Sequence, residues 1–139
     1  MLSYEHQAQY YETDQMGIIH HSNYIRWMES ARIWWMKQVG VDYGEMEKQG
    51  VISPVLEVSC QYKSMVHFGD IVLITPKIEH YNGVKLELSY QITDKASGEI
   101  KTTGNSKHCF LDRNGKPISL KRSYPMYDEV FRKGMMNEE

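Results

Sequence analysis

The chain has 139 residues, about the length of one domain, and we predict that residues 1–139 form a single domain. Its 16 Lys and Arg residues nearly balance 18 Asp and Glu residues, so the formal net charge of −2 does not indicate nucleic-acid binding, which requires a basic patch or stripe. Hydrophobic residues make up 41% and charged residues 24% of the chain, which is typical of a globular protein and excludes a disordered one.

The first predicted elements are a strand, a loop and a long helix. Residues 3–12 are rich in aromatic side chains and predict the strand, and the loop TDQMGIIHH follows it. From Ser22 to Val39, apolar residues cover most sides of the predicted helix, which indicates that other structure surrounds it. Ser22 or Asn23 is the predicted N-cap, and Gly40 is expected to end the helix in the left-handed conformation.

Four more strands are predicted in the second half of the chain, where runs rich in Val, Ile, Thr and Tyr are separated by turn signals. The runs are VISPVLEVSCQY, DIVLITPKIEHY, VKLELSYQIT and EIKTTGNSKHCFLD. The short turns between them imply antiparallel pairing. Residues 123–133 are predicted to form a short terminal helix. The predicted fold class is α+β, with a curved antiparallel sheet of five or more strands wrapped around one long central helix.

The loop before the long helix holds the first candidate for chemistry. Asp14 lies ahead of the helix N-terminus, where free backbone N–H groups and the helix dipole favour negative charge. On one interpretation the Asp14 carboxylate only caps a turn. On the other it attacks a carbonyl carbon, or deprotonates a water molecule that does, while N–H groups of residues 20–23 hold the developing oxyanion. The residues alone do not choose between these interpretations.

The segment YYETDQMGIIHHSNY, which begins at Tyr10, resembles the signature of the hotdog-fold acyl-CoA thioesterases of the 4-hydroxybenzoyl-CoA thioesterase family. The continuation IRWMESAR resembles the start of that family's central helix, and Tyr62 followed by the FGD motif of residues 68–70 is similar to its strand-turn pattern. The resemblance covers roughly residues 4–125 and is closest to the branch that includes the Tol–Pal-associated enzymes. It implies a hotdog fold and an enzyme that hydrolyses an acyl-CoA to a free carboxylic acid and CoA without a cofactor.

The same resemblance implies roles for individual residues. Asp14 occupies the position of the family's nucleophile or general base, and His21 that of the histidine whose backbone N–H binds the oxyanion. Tyr10 occupies the position of a tyrosine that lines the site or orients the carboxylate, so these three are the predicted catalytic residues. The family builds its sites at a dimer interface, so a homodimer or homotetramer is expected. The predicted substrate-binding residues are Gly17, Ser22, Asn23, Tyr24, Lys63 and Lys85, the two lysines being candidates for binding the CoA phosphates.

Two other functions are compatible with the residues. A hydroxyacyl-thioester dehydratase would pair His21 with a helix carboxylate, Glu29, and would leave Asp14 without a role. Glu29 is otherwise expected to pair with Arg32, three positions later. A non-catalytic acyl-thioester binding module would keep the fold without turnover. The adjacent His20 and His21 cannot both point at one ion in an ordinary loop, so no metal site is predicted.

We expect a cytoplasmic protein that does not insert into a membrane. The N-terminal segment is polar and has no apolar core of a secretory signal, and no apolar run approaches the ~18 residues that span a bilayer. Two cysteines, Cys60 and Cys109, are too few for a disulfide framework. Both lie in predicted strands, where we expect reduced and buried thiols.

Overall fold

The computed structural model describes residues 2–136, which form one antiparallel sheet and four helices. The strands are paired in the order β1-β3-β4-β5-β2. Their bounds are β1 (Tyr4–Gln7), β2 (Val55–Tyr62), β3 (Ile71–Tyr81), β4 (Lys85–Asp94) and β5 (Ile100–Cys109). The helices are α1 (Ser22–Val39), α2 (Tyr43–Lys48), α3 (Leu120–Ser123) and α4 (Pro125–Met136), and a 3-10 turn spans Tyr10–Glu12. The predicted α+β class is confirmed.

The sheet curves around α1, because one turn of α1 contacts strands at both edges of the sheet. The ring centroid of Trp27 lies 4.8 Å from that of His6 in β1, at one edge. The ring centroid of Tyr24 lies 5.3 Å from that of Tyr62 in β2, at the other edge. A helix with its side chains is about 10 Å wide, whereas five strands span about 19 Å, so a flat sheet would not meet the helix at both edges. The predicted sheet curved around a long central helix is confirmed.

The side of α1 that faces away from the sheet is exposed. Ala31 and Met36 are completely buried, whereas Ile25 is 39% exposed and the side chains of Arg26 and Glu29 are also exposed. The expectation that other structure surrounds α1 on most sides is therefore wrong for the described chain. The reason is geometric: the curved sheet covers the helix from one side, and apolar residues such as Ile25 lie beyond its reach.

The closest approach between α1 and the sheet is at Gly104 of β5. A Cβ atom at this position would lie 2.7 Å from Sδ of Met28 and 2.9 Å from the carbonyl oxygen of Ser59. Both distances are shorter than van der Waals contact allows, so only glycine lets α1 pack at this height above the sheet. The neighbouring Cys60 is, like Cys109, a free and half-buried thiol.

Three polar side chains form a buried polar chain on the inner face of the sheet. The hydroxyl oxygens of Tyr90 and Ser106 are 2.7 Å apart, and Oγ of Ser106 is 2.7 Å from Nε2 of His108. His108 is completely buried. Burial, together with the nearby positive charge of Arg32, lowers the pKa of His108 to about 3. The imidazole of the folded protein is therefore neutral at physiological pH.

We expect this neutral histidine to make the stability of the protein depend on pH. The histidine pKa is about 6.5 in an unfolded chain and about 3 for folded His108, so the unfolded state binds the proton first as the pH falls. Above pH ~6.5, protonation of His108 does not change the free energy of unfolding. Below that pH, the free energy of unfolding decreases by up to about 1.4 kcal/mol per pH unit, because the unfolded state binds the proton. Urea denaturation at pH 7.5 and pH 5 should therefore show a loss of about 2 kcal/mol from this residue.

Two variants test the origin of this pH dependence. His108→Gln should unfold with a smaller difference between the two pH values than the wild type. His80→Gln, which changes an exposed histidine of β3, should keep the wild-type difference. Equal pH dependence in all three proteins would show that His108 is not responsible.

The segment after β5 ends in two helices where one was predicted over residues 123–133. α3 ends at Ser123 and α4 begins at Pro125, whose fixed φ and missing N–H suit the first position of a new helix. α4 packs against the rest of the protein through two buried side chains, Asp128 and Phe131. Among residues 2–136, no helix is long and apolar enough to cross a membrane.

Candidate active site

The loop between β1 and α1 starts with the 3-10 turn. β1 ends at Gln7, so the strand predicted over residues 3–12 is correct only in its first part. A side chain closes the turn in place of ladder hydrogen bonds, because the Glu12 carboxylate accepts a hydrogen bond of 2.8 Å from the backbone N–H of Gln9. The turn redirects the chain from the edge of the sheet toward the N-terminus of α1.

Asp14 begins a tight turn within this loop. The N–H of Asp14 donates to the carbonyl oxygen of Ile18 at 2.8 Å, and the N–H of Gly17 donates to the carbonyl oxygen of Asp14 at 3.1 Å. Gly17 has a φ of +78°, which favours glycine. Oδ1 of Asp14 accepts from the N–H of Met16 at 2.8 Å, whereas Oδ2 has no hydrogen-bond partner in the described chain. One carboxylate oxygen therefore caps the turn and the other is free to contact a ligand.

α1 begins without the predicted side-chain cap. Oγ of Ser22 lies 2.9 Å from Nδ1 of His20, and Nδ2 of Asn23 donates to the carbonyl oxygen of Glu12 at 2.9 Å. His21 occupies the N-cap position with a helical backbone and no capping hydrogen bond from its side chain. The prediction of Ser22 or Asn23 as N-cap is wrong, because both side chains are bound to the loop instead.

The backbone N–H groups of residues 20–23 differ in whether they have a hydrogen-bond acceptor. The N–H of His20 donates to the carbonyl oxygen of Glu12 at 2.8 Å, that of Ser22 to Nδ1 of His20 at 3.2 Å, and that of Asn23 to the carbonyl oxygen of His20 at 3.0 Å. The N–H of His21 has no acceptor within residues 2–136. An unpaired N–H at the positive end of a helix is a suitable donor to a negatively charged oxygen.

A cavity of about 380 Å³ brings the loop and the helix start together. Asp14, His21 and Tyr24 line it from the loop and α1, and Lys63 lines it from the segment after β2. Four of the predicted site residues therefore share this cavity. The other lining residues are Met16, Ile18, Ile19, Tyr62, Ser64 and Met65.

The remaining predicted site residues lie outside the cavity lining. Gly17 shapes the Asp14 turn, and Ser22 and Asn23 bind the loop to the helix start. Tyr10 precedes the Asp14 turn and is 76% exposed. Lys85 begins β4, two strands away from β2 in the sheet. The chain by itself does not bring Tyr10 or Lys85 to the cavity.

Apart from Lys63, the contribution of the segment after β2 was not predicted. The Tyr62 hydroxyl donates to the carbonyl oxygen of His21 at 3.3 Å, and the N–H of Ile19 donates to the carbonyl oxygen of Val66 at 2.9 Å. These hydrogen bonds hold residues 62–66 against the loop between β1 and α1. The sequence signal for this segment is the resemblance of Tyr62 and the FGD motif of residues 68–70 to the strand-turn pattern of the thioesterase family, which does not indicate these hydrogen bonds.

The residues of the alternative functions are arranged differently. The Glu29 carboxylate binds Arg32, as expected for their spacing. Glu29 follows His21 by eight positions, which corresponds to about 12 Å along a helix, so one chain does not assemble the dehydratase pair. The rings of His20 and His21 stack with centroids 4.2 Å apart. In the described part of the chain, no three His, Cys, Asp or Glu side chains converge on a possible metal site.

Known proteins are similar to this chain in both sequence and structure. The model of the thioesterase-like superfamily matches residues 9–133. The protein YneP of Bacillus subtilis (strain 168), which carries a provisional name as an acyl-CoA thioesterase, is 38% identical over 130 residues, or 93% of this chain and 94% of YneP. A DHNA-CoA thioesterase from Staphylococcus aureus with a known crystal structure is 36% identical to this chain in sequence. The two structures superpose with a TM-score of 0.90 over 94% of this chain and 88% of that one. The crystal structure of the hypothetical protein AQ1494 from Aquifex aeolicus is 29% identical with a TM-score of 0.84, covering 91% and 98%.

Proposed function

The chain belongs to the thioesterase-like superfamily and is an acyl-CoA thioesterase, and we propose that it hydrolyses its substrate in the cavity between the Asp14 turn and the N-terminus of α1. The products are a free carboxylic acid and CoA. One observation carries this proposal: Asp14, with a free Oδ2, and His21, with an unpaired N–H, line the same cavity. They supply the two functions that acyl transfer needs.

The two groups act on different atoms of the thioester carbonyl. Oδ2 of Asp14 removes a proton from an attacking water molecule, or attacks the carbonyl carbon itself to form an anhydride that water then hydrolyses. Negative charge develops on the carbonyl oxygen, which accepts a hydrogen bond from the His21 N–H near the positive end of α1. The tetrahedral intermediate collapses with cleavage of the C–S bond, and the CoA thiolate leaves and takes up a proton. Both routes require an ionised Asp14.

The acyl group in this proposal is aromatic. The rings of Tyr24 and Tyr62 form one wall of the cavity, with centroids 5.3 Å apart and planes tilted by 60°. Such walls suit a planar ring, because aromatic groups pack edge-on or offset against one another. The Staphylococcus aureus relative is named as acting on DHNA-CoA. Lys63, which lines the same cavity, is the candidate for binding a CoA phosphate. The roles of Tyr10 and Lys85 stay predictions.

A second copy of the chain completes the site in this proposal. Within the described residues β2 pairs with β5 alone, so its other edge presents unpaired N–H and C=O groups. Val55, Leu56 and Val58 on this strand are 47%, 53% and 37% exposed, and the strand ends at Tyr62 in the cavity wall. Two copies joined at β2 would cover these side chains and close the cavity. Light scattering should give the mass of a dimer or tetramer, and a fully active monomer would contradict this arrangement.

A panel of CoA thioesters with short aliphatic, long aliphatic and aromatic acyl groups tests the function. We expect release of free thiol, with the highest kcat/KM for an aromatic substrate. Equal kcat/KM for aliphatic and aromatic substrates would contradict the acyl preference alone. Binding without turnover of any thioester would favour the non-catalytic module. Loss of water from a hydroxyacyl thioester, without thiol release, would favour the dehydratase. A cytoplasmic location stays a prediction from the sequence.

A further inference from the structure

Glu12 is a buried carboxylate that the proposed reaction does not use. It is 8% exposed and accepts hydrogen bonds from three donors. These are Nε2 of His6 at 2.9 Å, the backbone N–H of Gln9 at 2.8 Å and Nε1 of Trp27 at 2.7 Å. The donors belong to β1, to the start of the 3-10 turn and to α1. Because hydrogen bonds to a charged group are short and strong, the carboxylate holds these three parts at a fixed separation.

The backbone of Glu12 binds the far end of the same loop. Its carbonyl oxygen accepts hydrogen bonds from the N–H of His20 at 2.8 Å and from Nδ2 of Asn23 at 2.9 Å. Asp14 follows Glu12 by two residues, and His21 lies between the two residues that donate to the carbonyl. Both ends of the loop that carries Asp14 and His21 are therefore attached to one residue.

The hydrogen bonds also keep the Glu12 side chain ionised. Burial by itself would raise the pKa of this carboxyl group, but the hydrogen bonds from His6, Gln9 and Trp27 outweigh burial and lower the pKa. Only the ionised form accepts hydrogen bonds with both oxygens and donates none, which is what three converging donors require. A neutral carboxamide would direct an NH2 group at one of these donors.

We infer that Glu12 is a positioning residue, which sets the distance between the Asp14 carboxylate and the His21 N–H across the cavity. This inference rests on the proposed function, since it concerns the geometry of the same two groups. A displacement of about 1 Å between reacting groups can lower a rate by about 10²-fold, so the loop needs an anchor at both ends. Glu12 provides that anchor without contacting the substrate.

Glu12→Gln tests this inference in a steady-state assay with the best CoA thioester of the panel. We expect kcat to fall by about 10²-fold while KM changes little, because Tyr62 and Lys63 lie at the end of β2 and just after it, outside the three parts that the Glu12 carboxylate holds. Glu5→Gln is the matched control: it makes the same change on β1, where the exposed Glu5 binds Lys95 at 2.7 Å. Its kcat and KM should equal those of the wild type. Unchanged kcat in Glu12→Gln would overturn the inference.

Combining Glu12→Gln with Asp14→Asn separates positioning from a general structural role. If Glu12 acts through Asp14, its substitution should cause no further loss once the Asp14 carboxylate is gone. The same fold loss in the Asp14→Asn background as in the wild type would overturn the inference. Wild-type turnover of Asp14→Asn alone would instead contradict the proposed function, so the two failures are distinguishable.

A second variant covers the case in which Glu12→Gln does not fold. Trp27→Phe keeps an aromatic ring in the core and removes the Nε1–H that donates to Glu12, together with part of the ring volume. Thermal unfolding monitors the fold of each variant. We expect Trp27→Phe to remain folded and to lose about tenfold in kcat at nearly constant KM, a smaller effect because two donors to the carboxylate remain. Unchanged kcat in a folded Trp27→Phe would overturn the inference.

Discussion

Asp14→Asn is expected to lower kcat by roughly 10²–10⁴-fold while the protein stays folded. The amide oxygen of Asn can still accept the hydrogen bond that Oδ1 receives from the N–H of Met16 at 2.8 Å, so the turn is kept. The substitution removes the negative charge of Oδ2, on which both the general-base and the nucleophile route depend. Thiol release from the best CoA thioester gives kcat, and thermal unfolding gives the stability of the variant.

The matched control for this experiment is Asp112→Asn. Oδ1 of Asp112 caps a turn in the same manner, accepting from the N–H of Asn114 at 2.8 Å and of Lys116 at 3.0 Å, but Asp112 does not line the cavity. Its substitution should leave kcat unchanged. Near-wild-type turnover in Asp14→Asn would mean that this carboxylate, too, only caps a turn. Loss of turnover in Glu29→Gln alone would show that the reaction depends on the Glu29 carboxylate of α1 and not on Asp14.

Phe131→Ala is expected to lower the free energy of unfolding by about 3–5 kcal/mol. Phe131 is completely buried and joins α4 to three other parts of the protein. Its ring centroid lies 5.3 Å from Tyr81, 5.8 Å from Phe110 and 6.5 Å from Trp35. Removing the ring leaves a cavity among these aromatic residues and also removes aromatic pair contacts, each worth about 0.5–1.5 kcal/mol.

Urea denaturation measures the loss of unfolding free energy in Phe131→Ala, and two further variants on α4 serve as controls. Phe131→Leu retains most of the buried volume and should lose less stability than Phe131→Ala. Met126→Ala changes a side chain of the same helix that is 82% exposed, so its effect should stay within about 0.5 kcal/mol. A loss below about 1 kcal/mol in Phe131→Ala would show that α4 is not part of the cooperative core.

The features that the sequence predicted well are those encoded by neighbouring residues. The C-terminal end of α1 is as predicted, because Gly40 takes a φ of +114° and its N–H donates to the carbonyl oxygens of Lys37 and Met36. The run predicted over residues 84–93 matches β4, where alternate side chains are buried. The resemblance to the thioesterase family, carried by the segment that begins at Tyr10, assigned Asp14 and His21 to the site, and both side chains line one cavity.

The features that the sequence did not predict depend on residues far apart in the chain. Nothing in the segment around Tyr62 indicates that its hydroxyl reaches the carbonyl oxygen of His21. The bond from Trp27 to Glu12 likewise joins a helix to a turn that had been predicted as strand. One-sided burial of α1 depends on how far the sheet extends around it, which the helical pattern of apolar residues does not encode.

The buried polar chain has a consequence for how the strands find their partners during folding. In the native pairing, Tyr90 of β4 lies opposite Gly104 of β5. A slip by two residues would keep the same side chains facing inward, so the apolar pattern alone does not exclude it. It would move Tyr90 about 7 Å relative to Ser106 and take this buried partner from the Tyr90 hydroxyl, at about 1–3 kcal/mol, whereas Ser106 would keep His108 of its own strand. If β5 is the strand that moves, the slip would also place a side chain beneath Met28, where only glycine fits. The inner face of the sheet thus disfavours mispaired strands, although such pairings would bury nearly as much apolar surface as the native one.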